Sequence, residues 1–410
     1  MRSMKNALVA MVFCALLASC IKFGPPPRPI EGKVTVTTNG SATLPMLVDD
    51  NRLFVEMEVL RPDGSVRKLL AFVNMGQPAP NISTGLYHDL GIDQGKALEL
   101  RFGTLPIRID ATAVQPSDGA AQLFAPLPAE MMLPAGVLQN FEVVLDYGKR
   151  TMTLAAPGTL KPEGIPVPMA LNPGTGLVTL ATMVDGKPYK FVIDNGGSYS
   201  VFRAETVEAM LKGHPEWLRA SSAIGEANNS IDNTGFDSDS PVLKLPYLTA
   251  GGLTLDTVGV NGAGMGTTLG TLVGPIFWNQ YSDKAGLKVD GWLGGNVLSN
   301  YRLTIDYAQH MTWWLKVAPT DSSDLNQVGV TLGRDQKGYK IAAIAHKNGQ
   351  PTVNGVEPGD LLVAVDGLKT QGATRGQVLT SLHGVPGERR HLVLERAGKR
   401  VEVDAKITAF

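Results

Sequence analysis

The feature of this 410-residue sequence that most constrains its fold is an internal repeat. Residues 133–147 (LPAGVLQNFEVVLDY) align with residues 293–307 (LGGNVLSNYRLTIDY) at a constant offset of 160. Upstream, residues 72–76 (FVNMG) align with residues 192–196 (VIDNG) at an offset of 120, so the second copy carries about 40 additional residues between its two landmarks. Two similar lobes are therefore expected within the one chain.

The additional residues of the second copy fall in two stretches, 204–239 and 262–290. Elsewhere, short runs that alternate apolar and polar residues or carry β-branched ones stand between Gly and Pro breaks. The chain holds 46 Gly and 27 Pro, which is typical of a turn-rich globular fold. The sequence predicts a mainly β protein with lobes over residues 31–160 and 161–317.

The charge balance limits the classes of partner. Lys and Arg total 37 against 38 for Asp and Glu, so the formal net charge is −1. Such a chain has no basic field that would attract nucleic acid or an anionic bilayer surface. We expect no nucleic-acid partner.

The N-terminus is typical of an exported protein. An apolar run follows Arg2 and Lys5 and ends at Ala18-Ser19-Cys20, which resembles a bacterial lipobox with residues 1–19 as the signal peptide. Cys20 would then be the lipidated first residue, and residues 20–30 a Pro-rich tether. The resemblance implies a lipid-anchored protein of the bacterial cell envelope, with the outer membrane favoured because no Asp follows Cys20. An ordinary secretory peptide with an incidental cysteine is the alternative.

Cysteine usage excludes several chemistries. Cys14 would leave with the signal peptide and Cys20 would carry lipid, so the folded part would contain no thiol. Disulfides, cysteine nucleophiles and cysteine-ligated zinc are therefore not expected. The six histidines show no metal-ligand spacing, and we expect neither a metal site nor a cofactor.

Two motifs in the repeats resemble the pepsin/retropepsin-like aspartic peptidases. Residues 191–202 match an apolar-apolar-Asp-x-Gly loop, and residues 292–298 match the later apolar-Gly-x-Asn-x-Leu turn. Residues 72–76 are a weaker first copy of the loop. The resemblance covers about residues 50–315 and implies a bilobal pepsin/retropepsin-like β-barrel body, in which the two loops face each other.

The resemblance places Asp194 at one catalytic position and Asn74 at the opposing one. Paired aspartates work because two carboxyl groups in contact cannot both ionise, so that one serves as acid and the other as base. An amide exchanges no proton near neutral pH. Asn195 and Met75 follow these residues where the family has Thr or Ser, and Gly196 completes the second loop. A peptidase acting within one chain should therefore be inactive or severely impaired.

Three functions remain open on these residues. The first is a degenerate peptidase that binds peptides or unfolded protein. The second is an active endopeptidase in which Asp194 pairs with a carboxylate from elsewhere or from a second chain, and the third is a structural adaptor whose cleft has no function. The nearest first-lobe candidates, Asp89 and Asp110, lie outside the motif. The recurring Asp146 and Asp306 precede turns, which favours a structural role.

Residues 325–410 form a third unit, which resembles a bacterial PDZ domain of α+β type along its whole length. The resemblance implies that Val328, Gly329 and Val330 form a carboxylate-binding loop, and that Thr331 and Leu332 lie on the strand to which a peptide adds. Peptides or protein C-termini would be the partners. The alternative is a module docked on the lobes with its groove closed. The sequence does not define the oligomeric state.

Overall fold

The description of the structure rests on a computed structural model. The expected signal peptide, Cys20 and the tether lie outside the described residues, and of residues 268–273 only the backbone is described. The described residues are 33–36, 40–222, 224–229, 240–262 and 268–410.

The first repeat is built from hairpins whose strands alternate as the sequence pattern predicts. In β6 and β7 every second side chain is buried, because one face of this hairpin packs on the core. The elements are β1 (Val34–Val36), β2 (Ser41–Asp49), β3 (Arg52–Leu60), β4 (Val66–Asn74), β5 (Asn81–Ile82), α1 (Thr84–Asp89), β6 (Leu98–Phe102), β7 (Leu105–Ile109), β8 (Gln115–Pro116), α2 (Gly119–Phe124), β9 (Ala129–Pro134), α3 (Ala135–Leu138), β10 (Glu142–Asp146) and β11 (Thr151–Ala155), with 3-10 turns at Ile92–Gln94 and Ala111–Ala113.

The second repeat follows the same order with longer excursions. Its extra residues include a ten-residue helix and an eighteen-residue helix. The elements are β12 (Ile165–Leu171), β13 (Val178–Val184), β14 (Lys187–Ile193), β15 (Ser200–Phe202), α4 (Ala204–Gly213), β16 (Leu218–Ala220), β17 (Val242–Ala250), β18 (Leu253–Asn261), α5 (Thr268–Ala285), β19 (Gly291–Leu293), α6 (Gly295–Leu298), β20 (Tyr301–Asp306) and β21 (Met311–Lys316), with 3-10 turns at Pro215–Trp217 and Gly225–Ala227.

The two repeats place equivalent loops in equivalent positions. β4 runs parallel to β9, which in turn runs antiparallel to the short β5. In the second repeat β14 runs parallel to β19, and β19 runs antiparallel to β15. The chain therefore leaves β4 and β14 through matching tight loops, each of which lies beside a parallel strand from later in its own repeat.

A six-stranded antiparallel sheet joins the repeats, in the order β2-β11-β10-β20-β21-β12. At its centre β10 pairs with β20, and Val144 lies opposite Thr304. These two residues are 160 apart, which is the offset of the sequence repeat, so each is paired with its own counterpart. The register gives the body a pseudo-twofold axis between them, and one apolar core extends through both repeats.

Residues 325–410 form a separate antiparallel sheet with its own apolar core. Its strand order is β22-β23-β26-β28-β29, and α7 begins with a capping box between Thr374 and Gln377. The elements are β22 (Val330–Asp335), β23 (Gly338–Ile344), β24 (His346–Lys347), β25 (Gln350–Pro351), β26 (Leu361–Val365), β27 (Leu368–Lys369), α7 (Arg375–Leu382), β28 (Arg389–Arg396) and β29 (Lys399–Lys406). We call this unit the C-terminal module and the two repeats the body.

The predicted fold class, mainly β, is confirmed. Within the described residues, none of the helices combines the length and the apolar character needed to cross a bilayer.

The central sheet yields a stability prediction. Leu303 on β20 is 0% exposed and pairs with Leu145 across the junction of the repeats, whereas Leu47 on the outer strand β2 is 44% exposed. Leu303→Ala should lower the free energy of unfolding by about 2–5 kcal/mol, because it opens a cavity in the shared core. The matched Leu47→Ala should cost about 1 kcal/mol or less. Urea denaturation of both variants measures this, and equal losses would contradict the shared core.

Candidate functional site

Two matching loops carry the candidate site. Asn74 ends β4 and Asp194 directly follows β14. In the first loop the Gly76 N–H donates to Asn74 Oδ1 at 3.0 Å, and in the second the Gly196 N–H donates to Asp194 Oδ1 at 2.9 Å. The two side chains thus accept the same backbone hydrogen bond, although one is an amide and the other a carboxylic acid.

The two side chains lie against each other's loop. A Cβ on Gly76 would lie 2.0 Å from Asp194 Oδ2, and a Cβ on Gly196 would lie 2.4 Å from Asn74 Cγ. Glycine is therefore required at both positions, because the opposite side chain fills the space of a side chain there. Asn74 is 9% exposed and Asp194 is 8% exposed. The structure brings together the residues that the sequence placed at opposing positions.

Asn195 braces the two loops. Its Oδ1 accepts a hydrogen bond from the Met75 N–H at 2.8 Å, and its Nδ2 donates to the Val73 carbonyl at 3.1 Å. One buried amide therefore satisfies a donor and an acceptor of the other loop. Met75 cannot return this contact, so the brace runs one way. Sequence reasoning noted that Asn195 departs from Thr or Ser, but it missed that an amide supplies both halves of the brace.

Burial dominates the electrostatics of Asp194. Removal from water disfavours the carboxylate and raises its pKa above the usual value, while the Gly196 N–H opposes the rise. The Tyr281 hydroxyl, 3.4 Å from Asp194 Oδ2, and the positive charge of Arg52 also oppose it. The charged side chain that shifts the pKa of Asp194 is therefore a cation, Arg52.

Helix α5 brings the Tyr281 side chain against Asp194. Tyr281 and Trp278 are buried, and both pack on Trp292, with ring centroids 5.7 and 5.1 Å away. Ala135 of the first repeat lies in the same cluster. The eighteen-residue helix α5, which lies in the insertion of the second repeat, thus packs against the loop of its own repeat and reaches the first. Sequence reasoning placed an insertion here but could not show that it contacts the site.

The other acidic candidates lie elsewhere. Asp89 is exposed at the end of α1, and Asp110 accepts a hydrogen bond from the Lys33 N–H. Asp146 and Asp306 each accept a backbone N–H three residues on, from Lys149 and Gln309, which confirms their role in turns. Among the described residues, no group of three or more His, Cys, Asp or Glu side chains is arranged to hold a metal ion.

The stretch proposed to bind a peptide terminus is buried. Val328, Val330, Thr331 and Leu332 are each at most 1% exposed. Two of its N–H groups already donate within the chain: that of Val328 to Leu382 at 3.0 Å and that of Val330 back to Val328 at 2.7 Å. This arrangement leaves the stretch poorly placed to receive a carboxylate.

The reason for Gly329 also differs from the expectation. We expected a glycine here so that a ligand could approach the backbone closely. Instead a Cβ on Gly329 would lie 2.0 Å from the Thr352 hydroxyl and 2.9 Å from the Phe410 ring. The close approach is made by side chains of the module itself.

Comparisons with known proteins add little. No family model and no curated protein matches this sequence. Among solved structures, the chain is similar to the crystal structure of basic 7S globulin from soybean, with a TM-score of 0.40 and 9% identity, covering 69% of this chain and 96% of that chain. A similarity of this size carries no argument about fold or activity.

The brace yields a second prediction. Asn195→Ala should lower the free energy of unfolding by about 2–4 kcal/mol, because the Met75 N–H and the Val73 carbonyl would stay buried without partners. Asn195→Thr should lose less, since a hydroxyl both donates and accepts. Urea denaturation measures the losses, with the exposed Asn354→Ala as control. Equal stability of Asn195→Ala and the control would show that the brace contributes nothing.

The burial of Asp194 predicts a pH dependence. Its folded-state pKa is raised, so its contribution to stability is complete below the unfolded pKa of about 3.9 and is lost as the pH rises through the folded pKa. Asp194→Asn removes this titration. The variant should therefore gain stability relative to the wild type above about pH 4, by roughly 1.4 kcal/mol per unit of pKa shift. A difference that stays constant from pH 4 to 8 in urea denaturation would contradict it.

Proposed function

We propose that this chain is a degenerate aspartic-peptidase-like protein of the bacterial cell envelope, which binds peptides or unfolded protein without cleaving them. The observation that carries the proposal is that the buried Asp194 is opposed by Asn74. Hydrolysis by this type of site needs a second group that gives up and takes a proton, and a carboxamide does neither. Asp194, Asn195 and Gly196 would then be what is left of a catalytic site that no longer cleaves peptides.

The arrangement of the body supports the family part of the proposal. Two repeats share one topology, their glycine loops interlock around a pseudo-twofold axis, and a sheet made by both repeats joins them. These features fit a bilobal pepsin-like body with lobes at residues 31–160 and 161–317. The C-terminal module, in which β22 is an edge strand of the sheet, fits a PDZ-like domain over residues 325–410.

The alternative of an active endopeptidase needs a carboxylate against Asp194. The charge identified as acting on Asp194 is that of Arg52, and Asn74 fills the opposing position. No observation within the described residues favours this alternative. Attachment to the membrane through lipid on Cys20 stays a proposal that rests on the sequence alone.

A peptidase assay tests the proposed function. The wild type should not cleave a fluorescently labelled, reduced and carboxymethylated protein between about pH 3 and 7, where paired carboxylates would act. Its background should equal that of Asp194→Ala. Fluorescence anisotropy with the same substrate should detect binding. Robust cleavage that an aspartic-peptidase inhibitor blocks, and that Asp194→Ala loses, would overturn the proposal.

A further inference from the structure

A short segment of the second repeat lies between β22 and α7 of the C-terminal module. The segment is Ile224–Asn229, and it contains the 3-10 turn Gly225–Ala227. Asn228 Nδ2 donates to the Leu332 carbonyl on β22, and Arg375 Nη2 on α7 donates to the Asn228 carbonyl at 2.6 Å. The segment thus contacts both walls of the groove that a peptide would enter.

Apolar and close backbone contacts seat this segment. Ile224 and Ala227 are buried in one cluster with Ala345 and Phe410 of the module. A Cβ on Gly225 would lie 1.8 Å from Gln327 Nε2, so the module packs directly on the backbone of the turn. The segment occupies the groove as a ligand would, with both polar and apolar contacts.

Buried charges fix the module on the hairpin between β2 and β3. Asp49 accepts hydrogen bonds from the Thr374 hydroxyl and from the Gly376 N–H, at the start of α7. The Asp50 carboxylate is shared between Arg52 of the body and Arg375 of the module. The side chains of Asp50, Arg52 and Arg375 are at most 4% exposed. Because these charges are almost fully removed from solvent, each needs the others as partners.

Arg52 connects this contact to the candidate site. Its Nε donates to the Gly196 carbonyl at 3.0 Å, and its Nη2 donates to the Asn229 carbonyl at 3.1 Å. The N–H of the same Gly196 donates to Asp194. Arg375, Asp50, Arg52 and Gly196 therefore form a continuous path from the groove to the Asp194 loop.

The docked contact leaves polar atoms without partners. Among the described residues, Asp50 Oδ1, Asn228 Oδ1, Gln327 Oε1 and Arg375 Nη1 are buried and accept or donate no hydrogen bond. Such atoms weaken a buried contact, because they lose water and gain nothing in return. A ligand that supplied partners to these atoms would compete with the docked contact.

We propose that Ile224–Asn229 is an intramolecular ligand that closes the groove of the C-terminal module. An extended peptide that adds to β22 must displace this segment and undock the module from the body. Displacement of the segment removes the Asn229 carbonyl from Arg52 Nη2, and undocking removes Arg375 from the Asp50 carboxylate that Arg52 shares. Arg52 thus loses the surroundings that position its Nε on the Gly196 carbonyl. This inference rests on the proposed peptide-binding function and adds its regulation: the groove and the Asp194 loop open together.

Gly376→Ala tests the proposal with the smallest change. Alanine has a higher helix propensity than glycine, so the substitution should not destabilise helix α7 within the module. Its Cβ, however, would lie 2.6 Å from Asp49 Oδ1 and 2.8 Å from the Asp50 nitrogen, both in the body. The substitution should therefore weaken docking and leave the module folded. Gly85→Ala in α1 is the matched control, since a Cβ there meets nothing within 4 Å.

The measurement is amide hydrogen exchange of the full chain by mass spectrometry. Gly376→Ala should accelerate exchange about tenfold or more in three stretches together: residues 194–198, 224–229 and 330–335. Exchange in the β28–β29 hairpin should stay at the wild-type rate, as should all stretches in Gly85→Ala. Acceleration confined to α7, or acceleration of the hairpin as well, would overturn the proposal, since it would mean a local change or an unfolded module.

A cysteine pair gives a second, reversible test. Asp49→Cys with Gly376→Cys, in a chain carrying Cys14→Ser and Cys20→Ser, should form a disulfide across the contact. A Cβ at position 376 would lie 3.1 Å from Asp49 Cγ, the atom whose place the sulfur at position 49 would take. The reduced form lacks the Asp49 contacts and should exchange fast in the three stretches. The oxidised form should return to the wild-type rate. Fast exchange in both forms would overturn the coupling.

The same pair separates this inference from the proposed function. The labelled, carboxymethylated protein should bind the reduced form several-fold more tightly than the oxidised form. If it binds neither form while exchange still responds to the disulfide, the intramolecular ligand stands and the peptide-binding function fails. If it binds both forms equally, the groove is not the site that the segment closes.

Discussion

The antiparallel pairing of β10 with β20 is the contact on which the body depends. Both strands are fully or almost fully buried, and Val144 lies opposite its own counterpart Thr304. Because the register is symmetric, the strands that the two repeats share are related by the same rotation. The loops after β4 and β14 therefore meet at the axis, and the apolar core is continuous from one repeat to the other.

Symmetry of the backbone does not extend to the chemistry at the axis. Gly76 and Gly196 each make room for the other loop's side chain, and each N–H donates to its own loop's Asn or Asp. These contacts need only an oxygen acceptor, which an amide supplies as well as a carboxylate does. The scaffold therefore tolerates Asn74, whereas proton transfer does not. The one-way brace from Asn195 shows the same tolerance, since one amide satisfies both the Met75 N–H and the Val73 carbonyl of the first loop.

The junction of the body with the C-terminal module depends more on buried charges than on apolar packing. Its apolar cluster is small, and its specificity comes from Asp50 between Arg52 and Arg375. Buried ion pairs of this kind define one geometry well and stabilise it weakly, because desolvation offsets most of the attraction. Glu226 lies in the adjoining turn, where burial raises its pKa to about 8. It is therefore mostly protonated at neutral pH and adds little negative charge to the junction. The Asp194 loop is tied into this junction through Arg52.

The sequence by itself determined the repeat and the mainly β class, whereas the placement of Asn74 opposite Asp194 was implied by the resemblance of the two loops to a known family. It could do so because strand alternation, glycine turns and the offset of 160 are local or repeated patterns. Only the tertiary structure decided that Asn195 braces the two loops, that the Tyr281 hydroxyl meets Asp194, and that residues 224–229 lie between β22 and α7. These contacts join residues that are far apart in the chain, such as Asn228 and Arg375, and no local pattern encodes which distant surface a turn or an arginine will meet.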